Sequence, residues 1–189
     1  MPSPHPYTTP TGLQISFRRL RPEDAPYIVD LFQHLSPQSR YQRFQIPLEH
    51  ADPAWVEQMA RDIVRVEEPG EGWLAFADLP DEPNACIGGG RFIATGAGVA
   101  EASVTVRDDF QSQGLGSEIL RLLFDEARQA GIHTITAYVQ ASNRAVFAML
   151  AHFDLPFRTS TQLGETMIEV DLTGSRRPQA PSESTLPPG

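Results

Sequence analysis

The sequence contains no lysine, and all fifteen of its basic residues are arginine. That excludes a lysine Schiff base as a catalytic device. Cysteine is nearly as scarce: the single Cys86 excludes an internal disulfide framework and suits a reducing compartment. No apolar run approaches the roughly 20 residues of a membrane span. The opening Met1-Pro2-Ser3-Pro4-His5-Pro6 has no apolar signal core, so a cytoplasmic protein without a membrane partner is expected. Positive charge is in deficit, and a formal net charge of −9 argues against a nucleic-acid partner. It is compatible with a cationic acceptor such as an amine, although acidic surfaces usually serve solubility. His5, His34, His50, His133 and His152 show no metal-ligand spacing, so no metal is expected. There is no internal repeat and no sign of a second domain, and 189 residues with 40% apolar content suit one domain with a real core.

What is present centres on residues 99–157. Glu101-Ala102-Ser103-Val104-Thr105-Val106 alternates as a strand does. Gln111-Ser112-Gln113-Gly114-Leu115-Gly116 follows, and then Leu115, Ile119, Leu122, Leu123, Ala127 and Ala130 recur at helical spacing. Thr134 to Val139 alternates again. Strand, glycine turn, helix and strand make a right-handed βαβ crossover with parallel strands. A helix start offers unpaired N–H groups and a positive dipole end to a phosphate, and Gly114 and Gly116 let an anion approach the backbone. No lysine follows, so this is not a Walker A loop, and without a third glycine it misses the dinucleotide fingerprint. The plainer reading is a glycine-softened turn that binds nothing.

This pattern resembles the GNAT superfamily of N-acetyltransferases, whose signature Q/R-x-x-G-x-G/A is matched by Gln111, Gly114 and Gly116. Asn143, in Ala141-Ser142-Asn143-Arg144-Ala145, fits the asparagine that opens the family's next helix. Residues 17–25 and 35–44 resemble the bacterial branch that includes protein-lysine acetyltransferase domains. The likeness covers roughly residues 13 to 172. It implies an α/β GNAT fold: a mixed sheet with an antiparallel N-terminal half and splayed parallel strands at its centre.

The flanking chain reads as follows. Residues 1–12 form a loose arm, 13–172 the acetyltransferase domain and 173–189 a disordered tail. Leu13 to Leu20 is a first strand. Pro22, Glu23 and Asp24 open a helix, with the acids against its dipole. Its apolar stripe ends at Ser36-Pro37, and residues 36–47 form a loop. Asp52-Pro53 opens a helix to about Val64. Glu67-Glu68-Pro69-Gly70-Glu71-Gly72 is an acidic turn, more often solvated than substrate-attracting. Residues 73–79 and 86–95 pair as antiparallel strands, and Gly88-Gly89-Gly90 in the second signals a bulge or a close backbone approach. A helix after Asn143 runs to Phe153. Asp154-Leu155 then stands where the family carries Gly-Phe, and aspartate accepts a left-handed turn less readily than glycine. Residues 165–172 form a last strand.

The resemblance also implies roles. The N–H groups of Gln113, Gly114, Leu115, Gly116 and Ser117 would hold the diphosphate of acetyl-CoA after Gln111. The backbone of Val104, Thr105 and Val106 would bond the pantetheine amides as an added strand does, and Asn143 would bond the arm from the other side, or simply cap its helix. Glu101, ten positions before Gln111, stands where many members carry a catalytic glutamate and is the candidate base; the alternative is an exposed strand-end carboxylate. Desolvation by the apolar strand would raise its pKa. Tyr41, Arg43 and Phe44 lie in a segment that borders the acceptor site in the family; an aromatic-anchored connector is the plainer reading. Where many members carry a tyrosine seven positions after the asparagine, Leu150 stands here. Tyr41, Tyr138 and His152 remain as acids, or the thiolate leaves unassisted. Cys86 lacks a histidine neighbour in sequence and reads as a buried thiol. The expected activity is acetyl-CoA-dependent N-acetyl transfer by direct attack of a primary amine, on a small molecule or a protein lysine. The alternative is a non-catalytic acyl-CoA-binding sensor, and a third reading is a phosphoanion-binding protein of another kind. The sequence leaves the oligomeric state open, a dimer being compatible with it.

Overall fold

The computed structural model describes residues 6–65 and 70–174. Its strands are β1 (Tyr7–Thr8), β2 (Gln14–Arg19), β3 (Gly70–Leu79), β4 (Glu82–Gly96), β5 (Val99–Val106), β6 (Thr134–Gln140), β7 (Phe157–Gln162) and β8 (Glu165–Asp171). They form one sheet in the order β1-β2-β3-β4-β5-β6-β8-β7. Every neighbouring pair is antiparallel except β5 and β6, which are parallel. The helices are α1 (Ala25–Gln33), α2 (Pro37–Phe44), α3 (Pro53–Val64), α4 (Leu115–Gln129) and α5 (Arg144–Leu150). The mixed sheet expected from the sequence is thus present, with its antiparallel N-terminal half and parallel centre. Among the described residues, no helix is long and apolar enough to cross a membrane.

The sheet is buried on both faces, which is why Trp73-Leu74-Ala75-Phe76-Ala77 is continuously apolar rather than alternating. Leu74 and Phe76 face Ile28 and Leu31 of α1 and Ala60 and Val64 of α3. Trp73, Ala75 and Ala77 belong to the opposite cluster, with Leu115, Ile119, Leu123 and Ala127 of α4. The three glycines of β4 let these layers close. A Cβ on Gly90 would lie 2.8 Å from Ile119 Cγ2 and 3.0 Å from Leu123 Cδ1, and one on Gly89 would lie 2.7 Å from Leu74 Cδ2. The register against β3 also shifts between Ala75 and Phe76, so the run carries a bulge as well as close approaches.

Several local expectations are corrected. Residues 36–47 are not all loop, since α2 occupies most of them. Ser36 Oγ accepts from the Ser39 N–H at 3.2 Å and Pro37 sits in the first turn, so the pair read as a helix stop is a helix start. With few apolar residues, α2 shows no stripe to read. Tyr7 and Thr8, within the arm expected to be loose, pair with Ile15 and Gln14. β7 was missed because its residues after Phe157 are exposed and do not alternate; pairing with β8 across the Leu163-Gly164 turn defines it. Asp24 does more than face a helix dipole. It is 2% exposed and takes a bidentate pair from Arg18 at 2.7 and 2.9 Å, plus the Arg21 N–H at 2.7 Å. Asp154 is not among the residues of positive φ, so losing the family's glycine there strains nothing. The acidic residues Glu67 and Glu68, residues 1–5 of the arm and residues 175–189 of the tail lie outside the described residues.

Cys86 lies in the α1–α3 layer, 1% exposed, and burial pushes its thiol up to about 12. At pH 8 only about one thiol in ten thousand would be ionised. Iodoacetamide is therefore expected to label the native protein no faster than the protein unfolds; rapid stoichiometric labelling at pH 8 would contradict this burial. Gly90→Ala is expected to push α4 off the sheet and cost about 1–3 kcal/mol in urea unfolding, the usual cost of overpacking a filled core. An unchanged midpoint would show that α4 has room to move.

Candidate active site

β5 and β6 begin as partners and then part. Their register is Val99↔Thr134, Ala100↔Ile135 and Glu101↔Thr136, and there the ladder stops, although β5 continues to Val106 and β6 to Gln140. From Ala102 onward, the edge of β5 that faces β6 has no strand beside it among the described residues. Such an edge offers backbone donors and acceptors to any extended chain that lies along it. A cleft of about 840 Å³ opens there, lined by β5, the turn before α4, β6 and α5.

The turn closes one end of the cleft. A short 3-10 turn, Asp108–Phe110, delivers the chain to Gln111, whose Nε2 donates to Val106 O (3.1 Å), Asp108 Oδ1 (3.1 Å) and Ser39 Oγ (3.3 Å). Gln111 therefore ties the turn to β5 and α2. Ser112 and Gly114 take φ of 60° and 84°. In this conformation the N–H groups of residues 112–117 have no acceptor among the described residues. Six unpaired amides at the start of a fifteen-residue helix form a strong anion cradle. Gln113 turns its side chain away, its Nε2 donating to Asp109 O (3.1 Å), and Leu115 buries its side chain in the core, so both present only backbone here. Gly114, Gly116 and Ser117 line the cleft. A Cβ on Gly116 would stand 3.0 Å from Met149 Sδ of α5.

Sequence reasoning missed Tyr7. Its hydroxyl donates to Gln113 O at 3.1 Å and would lie 2.5 Å from a Cβ on Gly114. The first strand thus braces the turn from the far end of the chain. No local signal marks it; only the β1–β2 hairpin brings it there.

Across the cleft, Asn143 precedes α5 without capping it, and its amide makes no hydrogen bond among the described residues. The simple N-cap role is thereby removed, and a buried-side donor and acceptor are left facing the cleft. The side chains of Val104 and Val106 lean toward the α4 core. Thr105 faces the other way.

That other face carries the charged groups. Glu101, Ser103 and Thr105 alternate along it. Glu101 is exposed at the last paired rung, so the desolvation expected of it is absent, and its position rather than its burial recommends it. Arg43 reaches over from α2, with Nε donating to Thr105 Oγ1 at 3.1 Å and Nη2 to Ser103 Oγ at 3.0 Å. Loss of water, then repulsion from Arg91, lowers its pKa to about 10, while Glu101 pulls the other way. It remains cationic at neutral pH. Of the other two residues expected near the acceptor, Phe44 packs with Phe32 and Trp55 and lines a small chamber of about 50 Å³ beside Arg43. Tyr41 is exposed and lines neither cavity. Tyr138 is exposed in the cleft rather than in the core, His152 also lines it with Nδ1 2.7 Å from Ala148 O, and Leu150 is buried.

Residues 14–155 match the family model of the acetyltransferase (GNAT) domain. The chain is 32% identical over 138 residues to an acetyltransferase of Pseudomonas aeruginosa, covering 71% of each. It is 38% identical over 66 residues to an L-methionine sulfoximine/L-methionine sulfone acetyltransferase of Pseudomonas paraeruginosa, 35% of this chain and 37% of that one. Among solved structures, the GNAT domain of S. lividans PAT superposes with a TM-score of 0.73 at 21% identity, over 90% of this chain and 99% of that one. The acetyltransferase yncA of Salmonella typhimurium, solved with acetyl-CoA, superposes with a TM-score of 0.59 at 20% identity, over 88% and 98%. At such identities these structures speak for the fold. The extent of the family match and the 32% relative speak for the lineage: this chain belongs to the GNAT family and is an acetyltransferase.

Proposed function

We propose that the chain transfers an acetyl group from acetyl-CoA to the primary amine of a small molecule, with Glu101 as the base. The observation that carries this reading is the parting of β5 and β6, with six unpaired amides at one end of the gap and a carboxylate at the other. Five residue-to-residue steps of strand lead from Glu101 to Val106, about 17 Å of extended edge. The diphosphate fits the amides of residues 112–117, and the pantetheine arm fits the open edge of Val104 to Val106, with Asn143 opposite. The L-methionine sulfoximine/L-methionine sulfone acetyltransferase among the relatives acts on amino-acid derivatives, and this supports a small amine over a protein lysine.

The chain's own groups then have definable tasks. A lysine-type amine titrates near 10.4 and an α-amine near 7.7–8.0, so the acceptor arrives largely protonated or nearly so. Glu101 takes that proton, directly or through a water at the exposed mouth. As the C–N bond forms and the C–S bond breaks, an N–H on the free β5 edge faces the developing oxyanion. The thiol's usual pKa near 8.5 lets it depart as thiolate, and the second proton, shed by the nitrogen once the C–N bond has formed, reaches it through solvent. Leu150, buried where many members carry tyrosine, favours this unassisted departure. The same residue supports a second reading, an acyl-CoA-binding module without transfer.

Thiol release from acetyl-CoA against an amine panel tests the proposal. Glu101→Gln is expected to lower kcat by about 100-fold or more, the common effect of losing a general base, with acetyl-CoA affinity unchanged. Wild-type turnover by that variant would remove Glu101 from the mechanism, and binding without release for every amine would select the non-catalytic module. Gly114→Ala places a Cβ against Tyr7 and in a left-handed conformation costing roughly 1–2 kcal/mol. Its acetyl-CoA KM is expected to rise about tenfold; an unchanged KM would place the diphosphate elsewhere.

A further inference from the structure

We infer that the acceptor carries a carboxylate beside its amine, and that Arg43 receives that carboxylate while Glu101 faces the amine. This rests on the acetyl-transfer reading above and narrows its acceptor to amino acids, away from polyamines and lysine side chains. Three observations on the open face of β5 lead to it.

Arg43 is a half-buried cation that, among the described residues, has no carboxylate within salt-bridge distance. The other buried or half-buried arginines are spent differently: Arg18 is paired with Asp24, Arg19 with Glu71 and Glu126, and Arg107 with Glu82 and Asp109, while Arg40 and Arg91 rest on backbone carbonyls. Two of the five N–H groups of Arg43 are spent on the neutral hydroxyls of Ser103 and Thr105. The remaining three have no acceptor among the described residues, and the side chain lines both the cleft and the small chamber. A planar fork with free donors suits a carboxylate.

The charges around it leave that fork unanswered. Arg91 is held by the carbonyls of Ile63 (2.6 Å) and Asp62 (3.4 Å) at the end of α3, and the two cations repel each other. Glu101 attracts both but bonds neither, and Asp62 attracts Arg91 as well. Arg91 thus has a carboxylate on the α3 side, whereas the charge of Arg43 is answered only by Glu101, without contact.

The spacing fits as well. The hydrogen bonds fix the guanidinium between residues 103 and 105, with Nε at Thr105, two same-face steps from Glu101, and Nη2 at Ser103, one step from it. Such a step is about 6.6 Å. An amine and a carboxylate on one carbon, with a hydrogen bond of about 2.9 Å at each end, span it.

The test compares glycine, L-alanine, L-leucine and L-methionine with their carboxamides, which keep the amine and side chain but lose the negative charge. In the wild-type enzyme, kcat/KM for the best amino acid is expected to exceed that of its amide by about tenfold or more, as for a charge-assisted hydrogen bond. In Arg43→Gln this ratio is expected to fall to within about twofold, through KM more than kcat, and Arg43→Lys should restore part of it. Amides used as well as the acids by the wild type would overturn the inference. So would an Arg43→Gln variant that keeps the ratio while melting earlier, the behaviour of a strut between α2 and β5, or one that raises the KM of acetyl-CoA instead. Calorimetric titration of the same pairs into CoA-loaded protein needs no turnover. If no amine releases thiol, the transfer reading fails, and tighter binding of the acids still upholds the carboxylate site; equal or absent binding overturns it.

Discussion

The separation of β5 from β6 after a single stretch of pairing is the constraint on which the site depends. Three registered positions tie the strands together, and beyond Glu101 and Thr136 each runs on without the other. The pairing anchors the gap on a rigid sheet; the parting leaves a row of backbone groups that, Val106 O apart, have no strand beside them among the described residues. In a compact fold such groups are normally paired. Their exposure along a cleft is tolerable because water, or an extended ligand, can take the vacant side of the strand.

Everything around the gap is arranged to hold it open. α4 closes on the sheet through the glycines of β4, and so its first turn, with its unpaired amides, is fixed at the end of the opening. Gln111 pins the turn to Val106, and Tyr7 braces it from the first strand. On the opposite side, α5 approaches near enough for Met149 to meet Gly116, which narrows the cleft where a diphosphate would sit. The two faces of β5 have separate tasks. Ala100 and Ala102 are buried against the α4 core, whereas Glu101, Ser103 and Thr105 lie on the face that Arg43 of α2 reaches.

The absence of lysine sharpens the electrostatics. Every cation in this chain is an arginine, a planar donor fork that remains charged even where burial disfavours it. Arg18, Arg19 and Arg107 are consumed by carboxylates and serve the architecture. Arg43 is spent on hydroxyls, and its charge remains available to whatever enters the cleft.

The local sequence determined the strand–turn–helix unit, because glycine spacing, a helical apolar stripe and strand alternation are properties of a few adjacent residues, and the chain around Gly114 folds as they dictate. The mixed sheet and the candidate positions of Glu101 and Asn143 followed from the same reading, the latter two through likeness to a family. The tertiary structure decided what local pattern cannot carry. α2 has almost no apolar stripe, β7 no alternation and β1 only two residues: the two strands exist because a neighbouring strand supplies their hydrogen bonds, and α2 is tied down by the bonds of Arg40 to Phe32 and Leu48 and of Arg43 to β5. The splay of β5 from β6 is likewise a matter of which neighbours remain beside an edge. So is the placing of Arg43 and Tyr7, which lie 62 and 106 residues from the groups they bond.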